Sequence, residues 1–161
     1  MEEFQRLRQE ADQALQVADH MLTVTYPLVQ DTKLLLSVTI NLYKGMTKGV
    51  SAILSYERLF KRIPPYPESF YPQLQFFKAR CTRRYNLNPE YLQLMEKLHE
   101  IVEMHKHSPI EFRRQDKFVI CSDNYRLSTI TLQQLKEYLA KAKLFIAEVH
   151  RMVGKYERIF R

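Results

Sequence analysis

Glycine is nearly missing from this chain, with three residues among 161, and Gly45, Gly49 and Gly154 all fall inside stretches of helical periodicity. A glycine-rich phosphate loop is thereby excluded, because such a loop needs several flexible positions between a strand and a helix. An all-β fold, which needs tight turns many times over, is disfavoured on the same ground. Cysteine is scarcer still: Cys81 and Cys121 stand without a CxxC pair or the Cys/His spacing of a zinc site. Two part-buried thiols fit a reducing compartment, and a cytoplasmic location is expected. No apolar run reaches the roughly 18 residues that a membrane-spanning helix requires. The most apolar region, 28–54, is broken by Asp31, Lys33, Lys44 and Lys48, so no membrane partner is expected. Glu2, Glu3, Glu10, Asp12 and Asp19 near the start are incompatible with a secretory signal.

What the chain does contain is the balance of a globular protein, 45% hydrophobic and 27% charged, in a length suited to one domain over 1–161. Its net charge of +7 is unevenly spread. Residues 1–20 hold two basic and five acidic side chains, a net −3, whereas 33–87 hold ten basic and two acidic, a net +8. A local excess of this size points to an anionic partner such as RNA, DNA or a headgroup surface. Solvated helix faces carry such an excess too.

Periodicity predicts helices. Phe4, Leu7, Ala11, Ala14, Ala18 and Met21 form one stripe over about 2–23, and Thr25-Tyr26-Pro27 reads as a break and restart. Leu35, Val38, Leu42, Met46, Val50, Ile53, Leu54 and Phe60 continue the pattern through 28–63, a helix of about 50 Å at 1.5 Å per residue. Within it, Gly45 and Gly49 lie one turn apart, which suits the close approach of another helix, a bend or a dimer contact. Ile63-Pro64-Pro65-Tyr66-Pro67 ends this helix. A third helix is expected over 68–85, and Asn88-Pro89-Glu90 opens a fourth that runs to about 106. Helical periodicity then lapses over 110–130, where a small β-hairpin and an ordered loop fit equally well. Thr131 and Gln134 match a capping box at the start of the last helix. Its stripe, from Leu132 and Leu135 to Tyr156 and Phe160, is the most regular in the chain and could pair with a second copy. The expected fold class is all-α: an antiparallel bundle of about five helices with a short irregular or β-hairpin insert before the last.

His99-Glu100-Ile101-Val102-Glu103 fails as a zinc-protease motif, since a second His is needed at the fifth position. Glu96 and His99 form one Glu-x-x-His element of the kind used in di-iron bundles, without the second copy such a site needs. Glu96, His99, Glu103 and His107 are therefore expected to be a solvated stripe, and no metal or cofactor is expected. Two candidate sites remain. His105, His107, Glu111, Arg113, Arg114, Asp116, Asp123, Tyr125 and Arg126 crowd into the segment before the last helix, where a rigid scaffold could present functional groups. Arg58, Lys61, Arg62, Lys78, Arg80, Arg83 and Arg84 make a basic track, with Tyr66, Tyr71 and Tyr85 available to stack on bases.

The helical order, together with Lys106-His107-Ser108-Pro109-Ile110-Glu111-Phe112-Arg113-Arg114 and Asp123-Asn124-Tyr125-Arg126, resembles the HEPN superfamily of small helical bundles, in an uncharacterised archaeal-type form. Many members of that superfamily are ribonucleases or toxin components with an Arg-x(4-6)-His motif. None of His20, His99, His105, His107 and His150 follows an Arg at that distance, so the resemblance carries over no catalytic role. The function expected from these observations is a non-enzymatic helical interaction module, homo-oligomeric, binding RNA, another polyanion or a protein. The alternative is a HEPN-type ribonuclease or toxin–antitoxin component working through His107, Glu111, Arg113 and Arg126.

Overall fold

The structure, a computed structural model, describes the backbone of residues 1–160 and the side chains of residues 1–155. Helix α1 (Glu3–His20) buries Phe4, Leu7, Ala11, Ala14, Leu15 and Ala18, the expected stripe with Leu15 added. It does not break at Thr25-Tyr26-Pro27. Met21–Thr25 widen into a π-helical turn in which the Tyr26 amide donates to the Met21 carbonyl, and the chain runs on as α2 (Tyr26–Val29). A π turn already forgoes the usual i−4 bond, so Pro27, which has no N–H to give, is accommodated there. The break comes at Gln30, in the left-handed region with φ 55°.

Helix α3 (Lys33–Leu59) is the element on which α1, α4, α6 and α7 all pack. The segment expected as one helix over 68–85 divides into α4 (Phe70–Arg80) and α5 (Thr82–Tyr85), with Cys81 at φ −116° between them. Helix α6 (Pro89–His107) starts where expected. The Asn88 side chain accepts a 3.0 Å bond from the Glu90 amide, and Pro89 occupies the first turn. Helix α7 (Leu132–Phe160) closes the core with Leu135, Leu139, Ala142, Phe145, Ile146 and Val149. Thr131 accepts a 3.1 Å bond from the Gln134 amide, one half of the expected capping box. The Gln134 amide group instead donates to the Tyr138 hydroxyl at 2.7 Å. Tyr156 and Phe160, the end of the expected stripe, lie outside the described side chains.

The segment before α7 is a three-stranded antiparallel sheet in the order β1 (Ile110–Arg114), β2 (Lys117–Cys121), β3 (Leu127–Ile130). The chain is thus mostly helical with a small sheet before its last helix. Pairing of Phe118 with Ile130 and of Ile120 with Ser128 and Glu111 puts these residues on one face, and Phe118, Ile120 and Ile130 join the helical core. Ile110, Phe112, Arg114, Lys117, Val119, Cys121, Leu127 and Thr129 occupy the opposite face. His105 on α6 holds Glu111 of β1 at 2.9 Å and anchors the sheet to the bundle.

Glycine is used here for packing, not for turning. None has positive φ, whereas Gln30, Lys61, Asn86, Gln115 and Tyr125 do. A Cβ on Gly45 would lie 2.9 Å from Leu15 of α1, and one on Gly49 would lie 2.8 Å from both Phe145 and Ile146 of α7. The two glycines therefore let α3 approach two different helices. We expect Gly49→Val to lower the unfolding free energy by about 2 kcal/mol, through overpacking against α7. Gly49→Ala should cost less, because roughly 1 kcal/mol of helix propensity is regained. Urea denaturation of the two variants checks both values, and equal stability of Gly49→Val and the wild type would refute the close-packing role.

Candidate functional site

Three cations of the basic track, Arg62, Lys78 and Arg84, are paired with carboxylates inside the molecule. Glu57, in the last turn of α3, is 0% exposed and is held by Arg84, by the Tyr85 hydroxyl and by Arg62 at 3.4 Å. Lys78 pairs with Glu96 across α4 and α6. Arg58 donates to the Ile63 carbonyl at 3.4 Å, and Arg80 lies over the Phe76 ring. Lys61 sits in the turn after α3 with φ 57°, and Arg83 is exposed on α5. The seven cations thus do not share one solvent-facing surface with their charge unopposed. The division of α4 from α5 is what swings Arg84 and Tyr85 onto Glu57. Cys81 lies beside this cage. Burial, with the Glu57 carboxylate adding to it, pushes its thiol up to about 12, so it stays protonated.

The alternative site residues each have a partner of their own. His107 lies 3.7 Å from Glu103 on the outer turn of α6. Glu111 is taken by His105, and the Arg113 guanidinium donates to the Gln115 carbonyl at 2.7 Å within its own hairpin. Arg126 is exposed at the entry to β3, its amide bonded to Ser122. Only His107 of the four lines the large cleft described next.

Sequence reasoning did not find that cleft. It has a volume of about 880 Å³ and lies between α3, α4, α6 and the β2–β3 loop. Tyr43, Phe70 and Tyr71 form its aromatic wall, Glu100, Glu103, Lys106 and His107 come from α6, and Ser122 and Asp123 close the rim. At its back is His99, 9% exposed, so this member of the expected solvated stripe is in fact buried. Its ring stacks on Phe70 at 4.4 Å and 12°, meets Tyr71 edge-on at 4.4 Å, and bonds the Tyr43 hydroxyl through Nδ1 at 3.1 Å. Burial drives the His99 pKa below its ordinary value, whereas the hydrogen bond from Lys106 holds the Glu103 carboxyl below its own. Tyr43, also desolvated, is raised and keeps its proton. The cleft is thus a neutral aromatic interior edged by carboxylates. The sequence signals for it were scattered: His99 and Glu103 on α6, and Tyr71, His107 and Asp123 among the other candidates. Its aromatic wall comes from α3 and α4, which are remote in sequence.

Among the described residues no group of three or more His, Cys, Asp or Glu side chains is placed to hold a metal ion. Nor is any described helix long and apolar enough to cross a membrane. No protein-family model, curated protein or solved structure matches the chain.

Two outcomes follow from these charges. Arg84→Met removes a cation from a buried carboxylate and should cost about 3 kcal/mol. Glu57→Gln should cost less, since the freed arginines are 44% and 45% exposed and can rehydrate. Denaturant titration of both checks the ranking, and the reverse order would contradict the cage. For His99, the unfolded chain takes up a proton near pH 6.5 that the folded ring resists. The unfolded state therefore binds more protons, and stability falls as pH drops below that value towards the folded pKa. His99→Gln should flatten this part of the stability–pH profile. Parallel profiles for wild type and variant would show that the ring is not desolvated.

Proposed function

We propose that this chain is a binding module without a reaction of its own, and that its partner is single-stranded RNA docked on the outer face of the three-stranded sheet. The observation that carries this reading is the composition of that face. Arg114 and Lys117 sit side by side on paired strands, with no carboxylate among the eight residues that share the face. Val119 and Cys121 on the central strand are buried, but Ile110, Phe112 and Leu127 around them are 54%, 40% and 58% exposed, and Tyr125, next to Arg126, is 85% exposed. Apolar surface left uncovered on a small sheet marks an interaction site. Exposed rings interleaved with cations suit stacked bases and their phosphates. A shallow groove of about 230 Å³, lined by Arg114, Lys117, Val119, Leu127 and Thr129, runs along the face. The basic track supports it less well, because Glu57 and Glu96 already neutralise three of its members.

The HEPN-like helical order is consistent with RNA as the anion, and we retain that family as a proposal. Cleavage would require His107, Glu111, Arg113 and Arg126 to act on one phosphodiester, and their partners lie in different places. Binding is therefore preferred to hydrolysis.

Fluorescence anisotropy with a short uridine-rich RNA tests the reading. Binding should weaken with salt, and Arg114→Gln with Lys117→Gln should lower the log–log salt slope by about 1.4, two single-strand phosphate contacts at about 0.7 each. Phe112→Ala should weaken binding by about tenfold through lost stacking. Arg80→Gln with Arg83→Gln should change little. No RNA binding by the wild type, or binding lost only with Arg80 and Arg83, would overturn the assignment to the sheet.

A further inference from the structure

The aromatic cleft lies apart from the outer sheet face and calls for a different ligand. We propose that it binds a small organic cation, an ammonium group on a short apolar stem, seated against Tyr71 and Phe70 and held by Asp123. The wall is built of aromatic rings. Tyr71 is 51% exposed, and its ring meets Phe70 at 5.6 Å and His99 at 4.4 Å. Ring faces attract ammonium groups, more strongly as water is excluded.

The charges select the same sign. Glu100, Glu103 and Asp123 line the cleft against Lys106 and His107, and Lys106 is engaged by Glu103 at 3.2 Å. Asp123 has no ion pair among the described residues. A phosphate or carboxylate ligand would meet these acids at close range, whereas an ammonium group complements them.

His99 supplies the polar contact. It is nine-tenths buried, its Nδ1 is committed to Tyr43, and among the described residues no hydrogen bond reaches its Nε2. Because burial keeps the ring neutral, it adds no repulsion to an incoming cation and can accept an N–H at Nε2 in one tautomer. The volume of about 880 Å³ falls within the range of small-molecule sites and exceeds what a bare metal ion needs.

Calorimetric titration of the intact protein with butylamine, with spermidine and with adenosine 5′-monophosphate tests this. One of the two amines should bind, and Tyr71→Ala and Asp123→Asn should each weaken it by about fivefold, the size of an exposed cation–ring or ion-pair contact. Both residues are exposed, and far-UV circular dichroism confirms that the variants fold. The proposal is overturned if neither amine binds up to about 10 mM, beyond the range of a weak specific site. It is overturned equally if the nucleotide binds more tightly than both amines, or if amine binding is indifferent to Tyr71→Ala and Asp123→Asn.

Discussion

Helix α3 has little solvent-facing surface to spare, and the rest of the structure follows from that constraint. It is packed by α1, α4, α6 and α7, so any polar group on it that faces inward must find a partner within the protein. Thr39 donates to the Leu35 carbonyl at 2.9 Å. Ser51 donates to Gln73 at 2.9 Å, which in turn donates to the Pro67 carbonyl at 3.2 Å and so positions the proline connection. Tyr43 is paired with His99 on α6. Glu57, the costliest group of all to bury, recruits Arg62, Arg84 and Tyr85. Tyr43, Ser51 and Glu57 on α3 thus each place a neighbouring segment, including the wall of the cleft.

The same economy governs charge. A stretch with a net +8 looks like a surface for an anion, yet six of its ten cations serve three carboxylates, a carbonyl and a ring. Glu57 belongs to that stretch and Glu96 lies beyond it, so a local count cannot register which charges cancel across the fold. The cations on the outer sheet face are fewer, but they face solvent beside apolar side chains. Position, more than number, separates a binding surface from a structural network.

Most of the helical order was legible because it rests on spacing alone. Phe4 through Ala18 on α1, the cap at Asn88-Pro89 and the stripe from Leu135 to Val149 on α7 are local patterns that packing leaves in place. The strands were only half legible. Phe118 to Cys121 read as extended, but Ile110 to Arg114 carries just two apolar residues, and the hairpin turns through Gln115 at φ 58° instead of glycine or asparagine. Tyr125 turns the next connection at φ 64°, again without glycine. Such positions are strained by roughly 1–3 kcal/mol, and only the surrounding pairing holds them. Turn rules therefore could not find them.

By itself the sequence determined a mostly helical chain with thiols kept inside, helices in a given order and an irregular segment before the last. These depend on residues near one another in the chain, where periodicity, capping and proline act directly. Only the tertiary structure decided that Glu57 would take up Arg62 and Arg84 of the basic track and that three extended segments would form one sheet whose outer face leaves Ile110, Phe112 and Leu127 exposed. It also decided that His99 would leave the solvated stripe for an aromatic cleft. Each of these joins groups far apart in sequence, and burial there alters what a charge, a ring or a proton can do.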